Sequence, residues 1–186
     1  MKLFLPALGL IFAGMVQANV VNGTQGFIDL GPTACDGSPT NNINTCTTFM
    51  MPNVFSTNSQ TGNFAGMPVQ FIGAVPFSLA IPTSFNFADP VFGTFNSTKI
   101  SIAADTPGVL ALYILGNYVS GSYAPGASEP ASFTLSLTQT PPGAGGAISA
   151  SGTFSDPPVG QAPEPATMAL IGSAVLGFGI HRLRKA

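Results

Sequence analysis

The chain has no tryptophan, one histidine and two cysteines, and only 6% of its 186 residues are charged. The single histidine, His181, sits in a basic stretch at the C-terminus, so the body of the chain cannot build a His-based triad or zinc centre. Basic residues are equally scarce, and between residues 19 and 159 the only one is Lys99. Six acids share that stretch (Asp29, Asp36, Asp89, Asp105, Glu129 and Asp156), so its net charge is 1 − 6 = −5. Nucleic-acid binding requires lysines and arginines to displace phosphate counterions. With almost none present, that class is excluded, and so is docking of the body on an anionic membrane. Helical periodicity is missing as well, except in two apolar runs at the ends of the chain.

Those runs carry addresses. Met1-Lys2 is a short positive region, Leu3 to Val16 is apolar, and Val16-Gln17-Ala18 places small residues before a cut between Ala18 and Asn19. This is the pattern of a cleaved secretory signal peptide over residues 1–18. The competing reading is a retained anchor, although the run falls short of the ~20 residues that a span needs. At the other end stand Pro163-Glu164-Pro165, an apolar run from Ala166 to Ile180, and the basic residues Arg182, Arg184 and Lys185. As a helix the run rises roughly 22 Å at ~1.5 Å per residue, against a ~30 Å hydrocarbon core. Snorkelling of the basic residues extends that reach, and the positive-inside rule leaves them cytoplasmic. The two prolines keep the preceding segment extended and open to a membrane enzyme.

This ordered tail resembles the PEP-CTERM sorting signal of Gram-negative bacteria. The resemblance covers about the last 25 residues, with a linker from residue 160, and Leu183 interrupts its basic end. It implies recognition and removal of the tail by an exosortase, a polytopic membrane cysteine transpeptidase, after signal peptidase has acted. It also implies a transient stay in the inner membrane, a final place in the periplasm, on the outer surface or in the extracellular matrix, and an association with exopolysaccharide and biofilm. The alternative is a plain C-terminal membrane anchor that is never cut.

Residues 19–159 are long enough for one domain with its own core. Cys35 and Cys46 form an even pair in an oxidising compartment, which predicts a disulfide across a turn-rich loop. Period-two alternation is clearest over Ser132–Gln139 and Ala147–Ser155, an expected hairpin with one wet face. Val109–Leu115 reads as apolar on both sides, as in a central strand. Shorter candidates are Gln25–Leu30, Thr47–Met51, Asn63–Gly66, Val69–Ala74, Ser84–Phe87, Phe92–Phe95 and Lys99–Ala103. The expected fold is all-β, an antiparallel β-sandwich of roughly 8–10 short strands, flanked by a signal-peptide helix and a transmembrane helix. Its phenylalanines are expected inside. Tyr118 and Tyr123 are expected in a loop, where they would be available to sugar.

No catalytic or metal constellation assembles, and no cofactor is expected. Asp36-Gly37, Asp89-Pro90, Asp105-Thr106-Pro107, Glu129-Pro130 and Asp156-Pro157 read as turn formers. A glycosidase would need only two carboxyls about 5–10 Å apart, which spacing in the chain does not forbid. Two functions remain in view. One is a non-enzymatic surface or matrix protein with its phenylalanines inside. The other is a carbohydrate-binding or adhesive module, which would display exposed aromatics among polar neighbours on one face.

Overall fold

The computed structural model describes residues 21–123 and 128–157. These form nine strands: β1 (Gly23–Asp29), β2 (Ala34–Cys35), β3 (Thr48–Gln60), β4 (Phe71–Ser78), β5 (Ser84–Asp89), β6 (Gly93–Thr106), β7 (Val109–Ser120), β8 (Ser128–Thr140) and β9 (Ala147–Asp156). Two 3-10 turns, Ile43–Thr45 and Gly62–Phe64, interrupt them. Among the described residues no helix is long and apolar enough to cross a membrane. The helices expected at the two ends lie outside the described residues.

The sheet order is β1-β9-β8-β7-β6-β5-β4-β3-β2, and β1 also pairs with β3. Every ladder is antiparallel. Eight strands therefore close into an up-and-down barrel, and the two-residue β2 pairs with β3 on the edge that β1 takes further along that strand. This corrects the expected sandwich. The strands are long, with 13 residues in β3, 14 in β6 and 13 in β8. Register shifts in β1, β3 and β6 bend them, so one sheet curls onto itself instead of splitting into two. Closure also removes the exposed strand edges that would otherwise seed aggregation.

Alternation fixes what points inward. Along β7, Leu110, Leu112, Ile114 and Tyr118 are buried, while Ala111, Tyr113 and Leu115 are half-buried on the outer face. Val109–Leu115 is therefore one-sided, not a strand buried on both faces. The candidates Phe92–Phe95 and Lys99–Ala103 fuse into β6, because its bulges break the alternation without breaking the strand. Asn63–Gly66 is no strand. It falls on a 3-10 turn whose Phe64 is 1% exposed and plugs one end of the barrel. Gly23 and Gly62 make that plug possible, since a Cβ on either would overlap the other segment's backbone.

The interior is a phenylalanine lattice. Phe27, Phe64, Phe85, Phe87, Phe92, Phe95, Phe133 and Phe154 stack or meet edge-to-face, with ring centroids 4.9–6.4 Å apart. These are the separations at which aromatic pairs attract. A void among Phe27, Met51, Ile72, Phe85, Phe133 and Leu135 measures about 10 Å³, room for at most one water. The barrel interior is thus packed at that level.

Candidate functional site

The antiparallel order puts the start of β1 and the end of β9 side by side, with Gly23 opposite Asp156. Both signal-bearing ends of the chain therefore leave from one pole of the barrel. The residues expected to act in sorting and processing (Ala18, Asn19, Pro163, Glu164, Pro165, Ala166 to Ile180, Arg182, Arg184 and Lys185) lie outside the described residues. The last strand, β9, ends at Asp156, seven positions before Pro163.

The opposite pole is tied down by the cysteines. Cys35 and Cys46 form a disulfide with a Cα–Cα distance of 5.8 Å. Inside the loop, the Ile43 amide donates to Gln139 Oε1 at 3.1 Å, and Gln139 Nε2 donates to the carbonyls of Asn41 and Gly146 at 2.6 and 2.9 Å. Gln139 is 2% exposed and Ile43 1%, so the loop is a lid whose apolar tip enters the barrel. Asn44 bridges it to the β6–β7 turn, donating to Asp105 Oδ1 at 2.6 Å and accepting from the Gly108 amide at 3.0 Å.

Four of the acids serve local structure. Asp36, at φ 47°, accepts from the amide and hydroxyl of Thr48 and from the Thr47 amide, and these bonds, the Thr48 amide's first, hold its carboxyl below the usual range. Asp89 accepts from the Val91 and Phe92 amides at 2.9 and 2.6 Å. Asp29 accepts from Gly31, Thr33 and Asn53, and Asp105 from Asn44.

Glu129 and Asp156 break the turn-former expectation. Both lie inside strands, β8 and β9, on inward positions. Glu129 Oε1 accepts from the Val21 amide at 3.3 Å. Asp156 is 1% exposed, and neither of its carboxylate oxygens has a hydrogen-bond partner. Burial, reinforced by the Glu129 charge, raises its pKa from 3.8 to about 7. The signal for these two residues was present in the alternation. Counting by two from Phe154 reaches Asp156, and counting by two from Phe133 through Ala131 reaches Glu129. The adjacent prolines, Pro130 and Pro157, carry the competing turn signal.

Tyr118 is also inward, not in a loop. It is 1% exposed, its hydroxyl donates to the Phe92 carbonyl, and burial together with the Asp156 and Asp89 charges pushes its pKa up. Tyr123 is 38% exposed, and its hydroxyl donates to the Ala65 carbonyl at 3.1 Å. Of the twelve phenylalanines between residues 19 and 159, ten are buried. The other two, Phe55 and Phe71, form one outer pair 4.8 Å apart next to Ile28. Elsewhere the outer face of β8 and β9 is lined with hydroxyls from Thr134, Ser136, Thr138, Ser149, Ser151 and Thr153.

The family model described as the PEP-CTERM protein-sorting motif matches residues 161–185. The C-terminal region therefore carries that motif, which marks an exported protein sorted and processed by an exosortase-type membrane enzyme. No curated protein and no solved structure matches the chain.

Proposed function

We propose that the mature protein is a non-enzymatic component of the cell surface or extracellular matrix, associated with exopolysaccharide and biofilm. It reaches that place as a signal-peptide precursor held briefly in the inner membrane and then cut near Pro163–Pro165. The observation that carries this reading is the sorting motif at residues 161–185, which follows almost directly on a closed barrel with a packed interior. Four supporting features come from the barrel. Closure leaves no long free edge, ten of the twelve phenylalanines face inward, the carboxylates of Asp29, Asp36, Asp89 and Asp105 are spent on turns, and the outer face of β8 and β9 is hydroxylated and uncharged. Such a surface suits a hydrated sugar matrix.

The test is fractionation of the producing cells with and without their exopolysaccharide. Matrix association predicts that the processed protein sediments with the polymer and becomes soluble when the polymer is lost. A full-length chain in the cytosol would overturn the reading. Direct sugar binding is the alternative role. It predicts retention of the isolated mature protein on polysaccharide, and loss of that retention when the outer aromatics Phe55 and Phe71 are replaced by alanine.

A further inference from the structure

Asp156 is an anomaly that packing alone does not explain. A carboxyl that is 1% exposed and has no hydrogen-bond partner is unfavourable as an anion. No cation stands ready to pair with it, because Lys99 is the only basic residue among the described residues and it is solvent-exposed. Among the described residues, the titratable groups at this pole are acids or a phenol. Glu129 faces it from β8, Tyr118 lies on β7, and Asp89 closes the β5–β6 turn, while β1 presents Gly23. Among the described residues, the proton is what makes the buried position tolerable.

The position is also the root of the tail. Beyond Asp156 only residues 157–160 precede the sorting motif, a span of roughly 14 Å at ~3.6 Å per residue. Just before it, Phe154 is fully buried, with its ring 4.7 Å from Tyr118 and 5.3 Å from Phe92. Between that anchor and the tail only Ser155 and Asp156 are held by the ladder, opposite Thr24 and Gly23 of β1, with Ser155 also opposite Ser132 of β8.

We propose that Asp156 is a proton-operated latch on the end of β9. Protonated, it keeps the strand seated in the pole. On giving its proton to solvent it leaves the barrel, frees residues 155–157 as far as the Phe154 anchor, and lengthens the spacer to the sorting motif. The three freed residues add roughly 11 Å of reach at ~3.6 Å each. An ionised carboxylate buried beside Glu129 costs more than the few backbone hydrogen bonds that release sacrifices. Presentation of the motif to a membrane enzyme therefore becomes pH-dependent through a residue of the barrel.

The test is hydrogen-exchange mass spectrometry of the full chain in detergent micelles from pH 4.5 to 8.5, corrected for intrinsic exchange rates. Protection at residues 155–156 should fall as pH rises, approaching tenfold per unit, and level off near pH 7, while Phe154 stays protected. Asp156→Asn should abolish the slope. Glu129→Gln should retain it but make it level off at lower pH. A flat wild-type profile, or an unchanged slope in Asp156→Asn, overturns the latch. Protection at Phe154 in each variant reports whether the barrel is folded, and Glu129→Gln decides the matter if Asp156→Asn does not fold.

Discussion

Removing the disulfide tests how the closed pole is held. Cys35→Ser with Cys46→Ser opens a loop that spans 11 positions of separation, or 12 residues counting both ends. The chain-entropy relation gives a loss of about 9.5 cal/mol/K for such a loop, or about 2.8 kcal/mol at 25 °C. The loop also carries Ile43 into the barrel and is bonded to the buried Gln139, so the entropy released in the unfolded state is not offset by a better-packed native state. With a urea slope near 2 kcal/mol/M, the unfolding midpoint should drop by about 1.4 M. Circular dichroism is the suitable probe, because the chain has no tryptophan to report by fluorescence. A double variant within about 0.5 kcal/mol of the parent, well below the loop estimate, would refute the reasoning. It would show that Gln139 and Asn44 hold the lid without the crosslink.

Other outcomes follow from the same structure. Asp156 binds its proton more tightly in the folded state, so its contribution to stability is complete below the unfolded pKa near 3.8 and is lost as pH rises to about 7. The unfolding free energy read from urea titrations should therefore decline over that window by up to about 1.4 kcal/mol per pH unit, and Asp156→Asn should remove this component. Phe92→Ala empties a site whose ring touches Phe27, Phe64, Phe87, Tyr118 and Phe154, and should cost about 3–5 kcal/mol in the same assay. Phe71→Ala, at a position 55% exposed, should cost far less than that. Neutralising Arg182, Arg184 and Lys185 should impair retention of the precursor for processing, read as loss of the shortened form by intact mass. Unchanged processing would remove the stop role from those three residues.

Much of the fold was readable strand by strand. Ser132–Gln139 and Ala147–Ser155 announced β8 and β9 because an antiparallel strand with one wet face writes hydroxyls and apolar groups alternately into the chain. β6 reads as two pieces because a bulge shifts the alternation by one residue, which looks locally like a break. Phe64 is not legible from the chain alone, because an aromatic in a short apolar run serves a strand or a plug equally well until its surroundings are known. The Ser120-Gly121-Ser122 cluster reads as a loop around Tyr118, although β7 runs on to Ser120.

What the chain alone determined is whatever depends on neighbours along it. The tripartite tail at residues 161–185, the disulfide loop and the strand-type alternation are local patterns, recognised by proteins that read extended segments or fixed by nearby residues. Tertiary structure decided what depends on partners far away. The pairing of β1 with both β3 and β9 turned an expected sandwich into a barrel, brought both chain ends to one pole, and drove Asp156 and Glu129 into it. The physical reason is that alternation states which residues share a face, but only closure of the sheet states whether that face looks at water or at the opposite wall.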